Sequence, residues 1–180
     1  MEELQPISAL GLFTVTRKLE VYQTIVFEYF DPEGSYSTII DDEEELEKEL
    51  NRLAVVMQDF LDREEVILNG TRVRPLVKAV DIGLKEPPEE VFITYFIYFK
   101  GKPRNGLNYY ENLYENEVAE YPITAYWVFP AGARIHNVQM SGDITLIRPN
   151  LLSVHLDEGE RIYGYEKIEF EIYGRAKTKQ

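Results

Sequence analysis

Two stretches of this sequence are apolar at odd and even positions alike, and they constrain the fold more than any other feature. They are VFITYFIYFK, residues 91–100, and ITAYWVFP, residues 123–130. A strand with one face in water alternates apolar and polar residues, because successive side chains point to opposite faces of the sheet. Neither stretch alternates, so leaving one face in water would expose a large apolar patch. We therefore predict two interior strands of a covered sheet.

Residues 13–29 alternate instead, with apolar residues at odd positions and mostly polar residues between them. This period of two predicts extended structure with one buried face, and its length predicts a bulge or a break near Arg17 and Lys18. The segment Asp31-Pro32-Glu33-Gly34 has proline and glycine where a type I turn favours them. After this turn we expect a short strand over residues 35–40 that folds back on the first.

The stretch after Asp42 has the pattern of an amphipathic helix. Asp42 is an N-cap residue, and Glu45, three positions later, is placed to bond back to it in a capping box. The acidic residues of the first turn also suit the positive end of the helix dipole. The apolar stripe that follows consists of Leu46, Leu50, Leu53, Met57 and Phe60. A stripe of about two heptads is typical of a helix that lies on a sheet, and a dimerising coiled coil is the alternative.

A strong hairpin signal follows the helix. Asn69-Gly70 suits a type I′ turn, which needs a positive φ at both central residues. The return strand is predicted over residues 71–84, and Pro75 within it indicates an edge position or a bulge, because proline lacks a backbone donor. The segment 86–90, EPPEE, interrupts all regular structure and is the one plausible linker.

The second half of the chain indicates many short strands. Segment 107–121 is ambiguous between strand, helix and loop, and its aromatic enrichment favours extended or irregular structure. Beyond it, short apolar runs alternate with glycine, proline and asparagine turns, which is typical of a sandwich or a small barrel. We therefore predict an α+β protein with a ββαββ unit over residues 1–86, one amphipathic helix on an antiparallel sheet, and a β-sandwich over residues 87–180. The alternative is that the two parts share one core.

Composition excludes several classes of function. The net charge of −13 opposes binding to nucleic acid, since such binding depends on lysine and arginine. The absence of cysteine excludes disulfides, thiolate metal sites and a cysteine nucleophile. The N-terminus lacks the basic start of a signal peptide, and no apolar run reaches the ~20 residues of a membrane span. We expect a soluble cytoplasmic protein that does not bind membranes, and a composition rich in Glu, Tyr and Ile suits a heat-adapted organism.

The two histidines are the candidates for a metal site. The stretch FPAGARIHN, residues 129–137, resembles the second motif of the cupins, in which a proline-glycine turn precedes a metal-binding histidine. That resemblance implies a metal ligand at His136, and His155 could approach it from a neighbouring strand together with a carboxylate. The companion cupin motif, with its paired histidines and glutamate, is absent from the sequence. A histidine on a strand is more often a half-buried packing residue, so we predict no cofactor.

Acidic residues among aromatic ones suggest a second chemistry. They fall into two groups, Glu111, Glu115, Glu117 and Glu120, and then Glu166, Glu169 and Glu171. Two carboxylates about 5–10 Å apart in a cleft can act as the acid and the base of a sugar-cleaving enzyme. In so acidic a chain, however, many such pairs arise by chance.

The tyrosines of the second half suggest recognition. Tyr109, Tyr110, Tyr114 and Tyr121 form a dense set, with Tyr126 and Trp127 close by. Tyrosine is concentrated at protein interfaces because it offers a large contact area and keeps a hydroxyl for hydrogen bonding. The alternative is that these rings belong to the core of the sandwich.

The hypothesis that these patterns favour is a non-enzymatic binding or assembly module. It would meet a protein partner, or its own copy, through the tyrosine-rich acidic segment. The alternative is an enzyme acting on sugars or small ligands through a glutamate pair or a cupin-like histidine metal site. A cavity with converging glutamate or histidine side chains would favour the alternative, whereas a flat aromatic surface would favour the module.

Overall fold

A computed structural model describes residues 4–173 and shows a mixed α+β protein, which confirms the predicted class. The helices within this range are α1 (Ser35–Asp41) and α2 (Glu43–Arg63). The strands of the first half are β1 (Gln5–Val15), β2 (Glu20–Phe30), β3 (Glu65–Leu68), β4 (Thr71–Val73), β5 (Leu76–Leu84) and β6 (Glu90–Lys100). The strands of the second half are β7 (Leu107–Leu113), β8 (Glu117–Val118), β9 (Ile123–Val128), β10 (Arg134–Gln139), β11 (Asp143–Arg148), β12 (Leu151–Leu156), β13 (Arg161–Ile162) and β14 (Tyr165–Glu171).

Most strands belong to two sheets. The larger has seven strands in the order β11-β12-β9-β1-β2-β6-β5, and the smaller has five in the order β10-β14-β7-β3-β4. Neighbours are antiparallel except β1 and β9, which run parallel. A short pair, β8 and β13, stands apart. The two apolar stretches form β6 and β9, and both are interior strands as predicted.

The inner face of the large sheet is covered in two halves. Val91, Ile93 and Ile97 of β6 pack with buried residues of the two helices. Phe99, at the end of the same strand, packs instead with residues of the small sheet. The large sheet therefore packs against the two helices at one end and against the small sheet at the other. Where the two sheets face each other, the arrangement is sandwich-like.

The other face of the large sheet, which we call the outer face, is open. Its exposed apolar residues include Leu10, Leu12, Tyr22 and Phe96, which are 41–50% exposed. The prediction that both faces of an all-apolar strand are covered is therefore wrong for β6. Apolar character on both faces identifies an interior strand, but a neighbouring layer is needed to bury the second face.

The predicted break in the first strand is confirmed. Residues 16–19 form the turn of a hairpin between β1 and β2, and Leu19 has a φ of 59°. The predicted strand over residues 35–40 is wrong, because this segment is the helix α1. The Asp31 carboxylate accepts a 2.8 Å hydrogen bond from the Tyr36 amide, and the Tyr36 hydroxyl donates to Oε1 of Glu49 on α2 at 2.6 Å. These contacts hold the segment as a helix.

The long helix α2 is largely as predicted. The Asp42 side chain accepts hydrogen bonds from the amides of Glu44 and Glu45, which confirms the N-cap. The stripe packs on the large sheet except at its last member, since Phe60 is 56% exposed and Leu61 is buried in its place. A period of 3.6 residues carries the stripe from residue 57 to residue 61 as readily as to residue 60.

The hairpin at Asn69-Gly70 is confirmed, with φ angles of 53° and 82° between β3 and β4. Pro75 separates β4 from β5, which lie in different sheets, and β5 is an edge strand. Up to residue 86, the described elements follow the order ββααβββ, and their strands belong to two sheets. The structure therefore does not show the predicted ββαββ unit on a single sheet. The predicted boundary at residue 86 falls in the turn between β5 and β6, which pair with each other. Strands from both sides of it form the large sheet.

Candidate functional site

A cavity of about 310 Å³ lies between the inner faces of the large sheet and the small sheet, beside the end of α2. We call it the central cavity. Its lining is mostly apolar and aromatic, and it falls within the size range of small-molecule sites, about 300–1,000 Å³. The apolar lining includes Phe13, Ile25, Phe27, Leu61, Val66, Phe99, Ile123, Trp127, Met140, Val154, Leu156 and Ile162.

Small residues at the centre of the large sheet make room for this cavity. Ala9 and Gly11 of β1 and Ala125 of β9 all line it, and Gly11 lies opposite Ala125 in the parallel pair. A Cβ atom added at Gly11 would lie 3.4 Å from Cε2 of Phe13 and 3.6 Å from Cβ of Ala125, both ordinary contact distances. A methyl group would therefore fit at Gly11, so the glycine widens the cavity at this point.

Four polar side chains meet at one end of the cavity, which we call the polar end. They are Glu64 after α2, Tyr110 and Asn112 on β7, and Glu166 on β14. The Tyr110 hydroxyl donates to Oε1 of Glu166 at 2.8 Å. Nδ2 of Asn112 donates to Oε2 of Glu64 at 2.9 Å and approaches Oε1 of Glu166 at 3.5 Å. One amide therefore links two carboxylates that come from distant parts of the sequence.

Their surroundings shift the acidity of both carboxylates. Burial, with a smaller contribution from the charge of Glu64, raises the pKa of Glu166 to about 7, although hydrogen bonds from Tyr110 and Asn112 act in the opposite direction. Burial also raises the pKa of Glu64, with a smaller contribution from the charge of Glu117. Desolvation disfavours the ionised form of a carboxyl group, and a nearby like charge adds to this effect. At neutral pH the polar end can hold or release a proton.

The polar end also contains an unpaired acceptor. Oδ1 of Asn112 accepts no hydrogen bond from the residues that the structure describes, although Asn112 is only 5% exposed. A buried amide oxygen without a partner costs roughly 1–3 kcal/mol. Asn112 lines the cavity, so a bound molecule with a donor could satisfy this oxygen.

Of the four tyrosines that were predicted to bind a partner, three line the central cavity and one lies on the opposite face of β7. Tyr110, Tyr114 and Tyr121 line the cavity, and Tyr110 is only 3% exposed. Tyr109 points the other way from β7, with its ring near Lys167 and Arg104. Their role in binding a protein partner stays a prediction, but the burial of Tyr110 removes that ring from any outer contact.

The two histidines lie on different sheets. His136 of β10 approaches Glu171 at 3.4 Å, whereas His155 of β12 contacts Asp157 at 3.2 Å and Thr124 at 3.0 Å. They share no carboxylate in these contacts. Across residues 4–173, no three His, Cys, Asp or Glu side chains come together as a metal site requires.

Sequence reasoning named Glu166 but missed its neighbours Glu64 and Asn112. One signal for Asn112 was present in the sequence. Asn108, Tyr110 and Asn112 are alternate residues of β7, so their side chains lie on the same face of the strand, and all three are buried. An asparagine on the same strand face as a buried tyrosine indicates a polar site in the interior. Nothing local to Glu64 indicates its position.

No protein-family model and no curated protein matches this sequence. Among solved structures, the folded domain of the LppM protein of Mycobacterium tuberculosis aligns over 100% of this chain and 97% of its own, at 10% identity and a TM-score of 0.46. An M1 zinc metallopeptidase from Deinococcus radiodurans aligns over 92% of this chain at 14% identity and a TM-score of 0.33, and the chain spans 42% of that peptidase. At these values neither similarity identifies a family or a function.

Within residues 4–173, no helix combines the length and the apolar character that crossing a membrane requires.

Proposed function

We propose that this protein binds a small, largely apolar molecule in the central cavity. The observation that carries the proposal is a cavity of about 310 Å³, partly open to solvent and lined mostly by aromatic and aliphatic side chains, with Glu64, Tyr110, Asn112 and Glu166 at one end. Apolar lining with a few convergent polar groups is the usual composition of a ligand site. The volume is roughly twice that of an engineered apolar cavity of about 150 Å³ that binds benzene.

The gain from filling the cavity supports the proposal. Apolar wall that no molecule covers lacks the dispersion contacts that a close-packed interior would make. Apolar surface that a ligand covers there contributes about 25 cal/mol per Å². Trp127, 2% exposed and stacked on Phe13 at a centroid distance of 4.1 Å, provides a rigid wall on one side.

The test is a titration with a neutral fluorescent probe, N-phenylnaphthylamine, on the native chain and on two variants. Ala125→Leu fills the cavity, so we expect saturable probe fluorescence in the native chain and a loss of at least about tenfold in affinity in this variant. Ala131→Leu makes the same change at an exposed turn residue and should bind as the native chain does. Equal affinity in all three proteins would place the probe elsewhere and overturn the proposal.

Proton transfer is a second candidate function. A carboxyl group with a pKa of about 7 beside a second carboxylate is suited to general acid–base chemistry at neutral pH. In this role Glu166 would exchange the proton and Glu64 would stabilise positive charge that develops nearby. Hydrolysis of a panel of nitrophenyl glycosides by the native chain and by Glu166→Gln is the test. Hydrolysis that Glu166→Gln abolishes would support this function, whereas no hydrolysis of any glycoside would exclude sugar cleavage.

A further inference from the structure

The polar end of the central cavity offers hydrogen-bond acceptors to a bound molecule. Its carboxylates are Glu64 and Glu166, and a third, Glu117, lies on the same lining. Among the residues described, no lysine, arginine or histidine lines the cavity. An anionic head group would therefore meet like charges with no cation to offset them, at a high desolvation cost.

The donors of the polar end are already engaged. The Tyr110 hydroxyl donates to Glu166, and Nδ2 of Asn112 is placed between Glu64 and Glu166. Oδ1 of Asn112 remains without a partner among residues 4–173. The hydrogen bonds from Tyr110 and Asn112 go to Oε1 of Glu166 and Oε2 of Glu64. The second oxygen of each carboxylate can therefore accept a hydrogen bond from a ligand. When Glu166 is ionised, a ligand that brings donors matches this arrangement, and one that brings only acceptors does not.

We propose that the ligand of the central cavity is an amphipathic amine, whose ammonium group lies between the carboxylates of Glu64 and Glu166 and donates to Oδ1 of Asn112. A primary ammonium carries three donors and no acceptor. That inventory matches the two carboxylates and the unpaired amide oxygen, while the apolar body of the ligand occupies the rest of the cavity. This inference rests on the proposed binding function and specifies its ligand class.

The inference makes binding dependent on pH. Glu64, Tyr110 and Tyr114 are the titratable groups that interact with Glu166, and Glu117 lies on the same lining near Glu64. Burial raises the pKa of both tyrosines, so the phenols stay neutral. The pKa of Glu166 is about 7 without a ligand. An ammonium ion favours the ionised carboxylate, so its affinity rises as pH rises through this value, and binding near neutral pH releases a proton.

The experiment compares three probes that share one apolar chain: octylamine, octanol and octanoate. Each probe is titrated for its ability to displace N-phenylnaphthylamine from the native chain, from Glu166→Gln and from Glu169→Gln. Glu169→Gln is the control, because Glu169 lies on the same strand as Glu166 but forms a salt bridge with Lys167. We expect octylamine to bind at least about tenfold more tightly than octanoate near pH 8. In Glu166→Gln, octylamine should lose about tenfold in affinity while octanol changes little, and Glu169→Gln should match the native chain. Calorimetry of octylamine binding in two buffers of different ionisation enthalpy should show proton release.

The outcomes separate this inference from the proposed function. If the fluorescent probe binds but octylamine binds no better than octanol or octanoate, or does not bind, the cavity is a ligand site and the amine inference is overturned. An octylamine affinity that Glu166→Gln leaves unchanged also overturns it. If no probe occupies the cavity, as judged by Ala125→Leu, the proposed function fails and the inference fails with it.

Discussion

The Tyr110 hydroxyl donates a 2.8 Å hydrogen bond to Glu166, and both side chains line the central cavity between the large and the small sheet. The Tyr110 hydroxyl and the side-chain amide of Asn112 are neutral groups that donate hydrogen bonds to the Glu166 carboxylate. Such bonds favour the ionised carboxylate, but they offset the loss of hydration only in part, so the pKa of Glu166 stays raised. This balance makes the protein sensitive to pH at the same site where it would hold a ligand.

Glu166→Gln should stabilise the protein at alkaline pH. The carboxyl group titrates near its ordinary 4.5 in the unfolded chain and at about 7 in the folded protein. The folded state therefore binds more protons between these values, and native stability falls as pH rises through this window, by roughly 3 kcal/mol in all. Glutamine removes the titration, so the variant should exceed the native chain in stability near pH 8 and match it most closely near pH 4. Denaturant unfolding at several pH values measures the difference.

A stability difference between Glu166→Gln and the native chain that does not change with pH would contradict this prediction. Glu169→Gln serves as the control, since this side chain pairs with Lys167 and has a lowered pKa.

Ile97→Thr should cost far more stability than Phe96→Thr, although the two residues are adjacent on β6. Ile97 is 2% exposed against the helical layer, whereas Phe96 is 42% exposed on the outer face. Placing a hydroxyl in a packed core costs about 2–4 kcal/mol, while an exposed substitution costs less than about 1 kcal/mol. Urea unfolding of both variants tests the assignment. A similar loss in both would indicate that the outer face is covered in solution.

Asp42→Ala should remove the N-cap of α2. The side chain accepts hydrogen bonds from two amides of the first turn, at 3.0 and 3.1 Å. Losing such a cap costs about 1 kcal/mol. The neighbouring Asp41→Ala is the matched control, because Asp41 is the last residue of α1 and has no capping role. Thermal unfolding of the two variants should separate them, and an equal effect would show that charge, not capping, is responsible.

Asn69→Ala should destabilise the turn between β3 and β4 and the strand beside it. Nδ2 of Asn69 donates to Oδ1 of Asn108 at 2.8 Å and to the Lys102 carbonyl at 2.9 Å. Oδ1 of Asn69 accepts a hydrogen bond from the backbone amide of Tyr109 at 2.9 Å. Alanine would remove all three bonds, although Oδ1 of Asn108 would keep its bond from the Arg104 backbone amide at 2.8 Å, and would also disfavour the positive φ, at a combined cost of about 2–4 kcal/mol. Denaturant unfolding, with Asn51→Ala on the exposed face of α2 as the control, measures it. A cost below about 1 kcal/mol would show that water replaces these bonds.

Elements that depend on interactions between near neighbours could be predicted from the amino-acid sequence alone. The cap at Asp42, the turn at Asn69-Gly70 and the break before Leu19 follow from interactions over a few residues. Period-two alternation and all-apolar runs likewise identify strands, because side-chain direction along a strand is local geometry. Short apolar runs predict strands in this way over residues 124–129, 136–140, 143–147 and 151–156, and the observed β9 to β12 begin and end within two residues of these bounds.

The arrangement of these elements and the position of the site depend instead on contacts between segments that are far apart in the sequence. Segment 35–41 is a helix because Tyr36 bonds to Glu49 on α2, and the outer face of β6 is open because no layer of the described chain covers it. Glu64 and Glu166 meet because β3 and β14 both pair with β7, a contact between distant segments that leaves no mark on local sequence. Pairing across a sheet is set by the packing of whole layers, and this packing turned two ordinary glutamates into the polar end of a cavity.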